Sequence, residues 1–95
     1  MASSAVAFRK FERWKNSRTV LNFIVRTKDG TLDSWTGRII SVTPSDNAVG
    51  FTDDATRSGN VFDLSDMVFD VTDRAVDALR EEDGWVVRIE EVSVM

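Results

Sequence analysis

The chain contains no cysteine and no histidine in its 95 residues. Disulfides, thiol nucleophiles, zinc sites of the Cys/His type and every histidine-centred acid/base triad are therefore excluded. Any enzyme built on it would have to work with carboxylates, lysine, serine or threonine. No such arrangement stands out, so the expectation is a protein that is not an enzyme and carries no cofactor. Long apolar runs are also missing, since none approaches the ~18–20 residues of a membrane helix. Residues 1–7, Met-Ala-Ser-Ser-Ala-Val-Ala, lack the basic start and apolar stretch of a signal peptide. A cytoplasmic protein without membrane association is expected. The five glycines are scattered singly, at Gly30, Gly37, Gly50, Gly59 and Gly84, which excludes a phosphate-binding glycine loop.

What is present is a charge polarity along one domain-sized chain. Residues 1–28 hold seven basic side chains against Glu12 alone, whereas the remainder holds five basic and fifteen acidic ones, so the overall −4 hides a basic head on an acidic body. Such a head can bind phosphate or another acidic partner, or attract the acidic body of its own or a neighbouring copy. The acidic residues Asp63, Asp66, Asp70, Asp73 and Asp77 do not have the spacing of a calcium loop. Asp53-Asp54 reads as a solvated loop, and no metal site is expected.

The hydrophobic pattern divides the chain into 5–17, 19–72 and 73–95. Ala7, Phe8, Phe11 and Trp14 fall on one arc of roughly 120° on a helical wheel, with Arg9 and Arg13 opposite, which predicts an amphipathic helix. Ser3 or Ser4 would cap it and Asn16-Ser17 would stop it. From Thr19 the period changes to two: Leu21, Phe23 and Val25 alternate with polar or outward residues. Lys28-Asp29-Gly30 forms a hairpin turn, and a long strand follows from Leu32 to Thr43, with Gly37 suited to a sharp bend. Pro44 to Asn47 forms the next turn, Val49 and Phe51 point inward from a short strand, and Asp53 to Gly59 is an exposed loop. Val61 to Leu64 and Met67 to Val71 then read as two half-buried strands joined by one helical turn at Ser65-Asp66.

After Thr72 or Asp73, the residues Ala75, Val76 and Leu79 predict a helix ended by Gly84. Trp85 to Ile89 begins a last strand, whose alternation slips between Glu90 and Val94. Leu64, Met67, Val68, Val71, Ala75, Ala78 and Leu79 also fit a single helical stripe from Asp66 to Asp83. That alternative strands Phe69 and Val76 on the polar side, and the β-branched and aromatic content of 68–72 favours a strand.

The expected architecture is mainly β (α+β): a five-stranded, strongly bent antiparallel small barrel of SH3-like or Sm-like type, with an N-terminal helix and a C-terminal helix plus extra strand. In this order of elements, over about 8–71, the chain resembles the Sm-like family, and most closely its bacterial RNA-chaperone branch. Gly37, Ile39 and Val42 fit the first Sm motif and Asn47 falls at its asparagine position. Thr43 stands where the motif has aspartate, Ser45 where it has a base-stacking side chain, and Asp46 where it has an apolar one. Arg57-Ser58-Gly59-Asn60 is similar to the second motif, with one residue inserted, but precedes the two strands it should join.

The resemblance implies a homo-oligomeric ring of about five to seven copies, built by strand pairing between neighbours. It also implies binding of single-stranded RNA or DNA, with bases stacked on aromatic side chains and phosphates neutralised by Lys or Arg. Arg9, Lys10, Arg13 and Arg18 are the phosphate-binding candidates and Asn47 the base-contact candidate. Trp35, the sole aromatic of a polar hairpin arm, is either a stacking platform or a core or interface side chain. The rival reading is a small-barrel interaction module that never touches nucleic acid.

Overall fold

The structure is a computed structural model and describes residues 4–92. Helix α1 (Ser4–Ser17) is followed by β1 (Leu21–Arg26), β2 (Leu32–Gly37), β3 (Ile39–Thr43), a 3-10 turn at Pro44–Asp46, β4 (Ala48–Asp53), β5 (Ser58–Asp63), β6 (Val68–Val71), β7 (Ala75–Arg80) and β8 (Trp85–Glu91). The strands form two antiparallel sheets, one in the order β2-β1-β8-β7-β6 and one in the order β3-β4-β5. The protein is mainly β with one N-terminal helix, and its sheets do not close into a barrel.

The helical stripe buries as its spacing predicts. Ala7, Phe8, Phe11 and Trp14 are all buried, and α1 lies chiefly across β3 and β6, one strand from each sheet. Phe8 meets Phe11 edge-on at 5.3 Å between centroids and Phe69 of β6 at 6.2 Å, an arrangement that suits the ring quadrupoles. The helix ends where Arg18 takes a left-handed conformation (φ 54°). There the Thr19 N–H reaches the Trp14 carbonyl and the Arg18 N–H reaches the Lys15 carbonyl, the paired bonds of a Schellman cap. Ser4 is the first helical residue, while the alternative cap Ser3 lies outside the described residues.

The two sheets share one bent arm. β2 and β3 are separated by Arg38 alone, and a Cβ placed on Gly37 would lie 1.7 Å from the Thr52 carbonyl oxygen, so only glycine admits the close approach of β4 at this corner. The N–H groups of Thr52 and Asp54 donate to the carbonyls of Arg38 and Thr36, which carries β4 past the bend from one sheet to the other. Leu21, Phe23 and Val25 of β1, Val49 and Phe51 of β4, and Phe62 of β5 are buried between the sheets, as their alternation predicts.

The five-stranded count and the C-terminal helix are corrected. Residues 75–80 form β7, which pairs with β6 through Val68↔Leu79 to Val71↔Val76 and with β8 through Ala75↔Glu90 to Arg80↔Trp85. The same pairing rules out the single helix over 66–83. Val76 and Ala78, two residues apart, both point into the core, and hydrogen-bonding partners on both sides override the weak helical preference of this segment. The link from β5 to β6 is a β-turn with Asp66 left-handed (φ 60°), not a helical turn. As predicted, it is no hairpin, because the two strands enter different sheets. β8 runs to Glu91 in unbroken register; the expected slip reaches Val94, which lies outside the described residues. Among the described residues, no helix is long and apolar enough to cross a membrane.

Candidate functional site

The pairing register of β1 and β8 defines two ends of the larger sheet. Leu21↔Glu91 lies at the end covered by α1, and Arg26↔Val86 lies at the opposite end, beside the hairpin between β1 and β2. The sequence candidates divide between these ends.

On the helix end, Arg9, Arg13 and Arg18 are exposed, and none of them forms an ion pair among the described residues. Lys10 is engaged differently. Its ammonium donates to the Asp73 carbonyl, stands 3.9 Å from the Glu91 carboxylate and lies 5.4 Å from the centre of the Trp14 ring. The Trp14 indole N–H donates to the same carboxylate at 3.2 Å. Lys10, Trp14 and Glu91 thus clamp α1 to the end of β8, a joint that the helical wheel alone does not show. A concavity of ≈490 Å³ beside it is lined by Lys10, Arg13, Trp14 and Glu91, so its basic groups are partly offset by a carboxylate.

Asn47 is in the left-handed region (φ 53°) and ends the 3-10 turn. Its carbonyl accepts from the Leu64 N–H at 2.8 Å, tying this turn to the end of β5. Its backbone therefore holds the end of β5 in place.

Trp35 is half-buried and belongs to an aromatic cluster. Its centroid is 5.6 Å from Phe23, nearly parallel to it, 5.2 Å from Phe51 and 6.0 Å from Phe62. Among the described residues, its buried indole N–H has no acceptor. An unmade hydrogen bond of this kind costs about 1–3 kcal/mol. Trp35 also lines an open cleft of ≈350 Å³ with Phe51, Phe62, Trp85, Asp33 and Asn60. Asp33 stands two residues before Trp35 on β2 and so shares its face of the sheet. The four basic candidates and Trp35 are not brought together: Trp35, paired with Phe23 in mid-strand, lines the cleft that runs toward the β1–β2 hairpin, and none of the four basic residues lines that cleft.

The electrostatics follow the same division. The loop between β7 and β8 holds Glu81, Glu82 and Asp83, and its Gly84 packs against Lys28 of the β1–β2 hairpin, so these carboxylates gather at the end away from α1. In that hairpin the Asp29 carboxylate accepts from the Thr27 hydroxyl and from the Thr31 N–H at 3.0 Å, which together lower its pKa to about 2. Asp63 is lowered as well, first by the Ser65 hydroxyl and then by the Ser65 N–H. On the outer face of the larger sheet, Arg88 pairs with Asp77 at 2.7 Å and with Glu90 at 3.6 Å.

Comparison of the chain with models of known families, with curated proteins and with solved structures gave no match.

Proposed function

We propose that this protein is a self-assembling small-β module of Sm-like type, whose copies join head to tail by pairing β5 of one with β6 of the next. One observation carries the reading: β5 and β6, consecutive along the chain, are both terminal strands of their sheets among the described residues. An unpaired edge is a template for another strand. Two different edges on one chain favour a heterologous, head-to-tail contact, which forms a ring where the rotation between copies closes. Apolar side chains flank both edges, with Val61 of β5 exposed at 61% and Val68 of β6 and Leu79 of β7 at about 40%. The other sheet margins are less open, since β4 reaches across the bend to β2 and α1 lies on β3. The bent β2–β3 arm and the Sm-like order of 8–71 support the same reading.

The test is the mass of the purified protein by light scattering, with Val61→Lys and Val68→Lys as edge-blocking variants. Wild type is expected as a multimer and each variant as a monomer. A mixture of the two variants is expected to stop at dimers, because one unmodified β5 and one unmodified β6 remain to pair. A monomeric wild type at high micromolar concentration sinks the reading.

A nucleic-acid role is favoured by a separate observation, the exposed Arg9 and Arg13 of α1 and Arg18 just after it, none of which forms an ion pair among the described residues. Such groups neutralise phosphates, and each contact steepens the salt dependence of binding. Fluorescence anisotropy with short single-stranded RNA and DNA should then show micromolar binding at low salt. Arg9→Glu with Arg13→Glu should abolish that binding while leaving the multimer intact. Loss of the multimer with no change in nucleic-acid affinity would instead assign the basic head to contacts between copies.

A further inference from the structure

We infer that the open cleft between the sheets is a binding site for a small quaternary ammonium compound of about choline size. Trp35 and Trp85, both half-buried, offer π surface to the cleft, while Phe51 and Phe62 are buried and stacked on one another; Asp33, Asn60, Thr27 and Thr31 are its polar lining. A cation held over such rings within ≈6 Å is attracted by their quadrupole, the more so when it is desolvated. Trp35 is not enclosed by its neighbours. Phe23 and Phe51 are each within 5.6 Å of it yet only 5.1 Å from one another. Rings stacked on opposite faces of the indole would stand about 7 Å apart, twice the contact distance between carbon atoms. Both phenylalanines therefore lie on one side of the indole and leave its other side uncovered by them.

The charge of the site selects the sign of the ligand. Asp33 is the charged residue among the lining residues. Asp29, Glu81, Glu82 and Asp83 occupy the adjoining loops. Three cations are near. Arg26 ends β1 here, but it lines a separate concavity with Ile24, Asp77 and Arg88 and not the cleft. Lys28 lies in the exposed hairpin. Arg80 lies 5.9 Å from the Trp85 ring centre, but its guanidinium is already committed to Asp83 and to the carbonyls of Asp63 and Ser65. A volume of ≈350 Å³ sits within the range of small-ligand sites, roughly 300–1,000 Å³.

The experiment is a tryptophan-fluorescence and NMR titration of the full chain with choline and with its neutral isostere 3,3-dimethylbutanol. Choline is expected to bind saturably and to shift the Trp35 indole resonance, with the isostere at least tenfold weaker. Asp33→Asn, a change at an exposed position, should weaken choline several-fold and leave the isostere unaffected. Equal binding of the two compounds, or choline binding indifferent to Asp33→Asn, would overturn the assignment, as would no saturable response to choline. A trimethyl-lysine peptide bound tenfold or more tighter than choline would overturn the small-molecule source in favour of a protein partner. Val61 lines the cleft as well as flanking the β5 edge, so the same titration is run on the Val68→Lys variant, whose substitution lies outside the cleft, and the choline response is then read apart from the strand-edge assembly.

Discussion

The two ends of the larger sheet solve the same problem differently. At one end α1 lays Ala7, Phe8, Phe11 and Trp14 across the gap between the sheets and seals it, with Phe11 wholly buried. At the other end the gap stays open, and the rings of Trp35 and Trp85 are only partly covered. The sealed end carries basic groups on its outer surface and the open end carries acidic ones. Sealing places the stabilising apolar contacts at the helix. The open end keeps aromatic surface available and tolerates an indole N–H without an acceptor.

The largest effect is expected at the sealed end. Phe11→Ala removes a fully buried ring that touches both Phe8 and Trp14. Large-to-small changes of this kind cost about 3–5 kcal/mol. Urea unfolding should show a loss of that order, a large share of the ~5–15 kcal/mol available to a small domain. A loss below about 1 kcal/mol would mean that the helix is a loosely held arm and that the sealed end is not the structural one.

A much smaller effect is expected at the open end. Trp35→Phe keeps an aromatic ring beside Phe23 and Phe51 while deleting the buried indole N–H. The lost packing is offset by removal of an unsatisfied donor, itself worth about 1–3 kcal/mol. The net change in the urea midpoint should be close to zero, in contrast to Phe11→Ala. A loss comparable to that of Phe11→Ala would make the two ends energetically alike.

How much of this contrast could be read from the chain depends on how unambiguous each local period is. The stripe Ala7, Phe8, Phe11, Trp14 admits one reading, and so does Leu21, Phe23, Val25; in both, burial matches the pattern residue for residue. Residues 75–79 admit two, because Ala75, Val76, Ala78 and Leu79 are apolar at both helical and strand spacings. The arbiter is pairing with β6 and β8, which is a property of distant residues. The same limit hid the site geometry. Arg9 and Arg13 were legible as exposed because they lie opposite an apolar stripe. The engagement of Lys10 was not, since Asp73 and Glu91 come from the far end of the chain. Asp33 and Trp35 stand at strand spacing on one face, but their cleft needs Phe51, Phe62 and Trp85 from three other strands.

The finest difference between the ends is one of titration. Asp29 lies in the hairpin of the open end and its folded pKa, about 2, is below the ordinary 3.8 because the Thr27 hydroxyl and the Thr31 N–H bind the charged form. A depressed carboxylate contributes stability that is fully present above the unfolded value and is lost as pH falls through the folded one. The contribution of Asp29 is therefore intact above about pH 4 and disappears toward pH 2. Asp29→Asn should show a smaller decline in urea midpoint across this window than wild type. The decline that remains should shrink again when Asp63→Asn is added, because Asp63 is depressed by Ser65 in the same sense. Identical pH profiles for wild type and Asp29→Asn would show that the hairpin bonds do not hold the charged form in solution. The open end would then owe its acidity to the number of its carboxylates and not to their local partners.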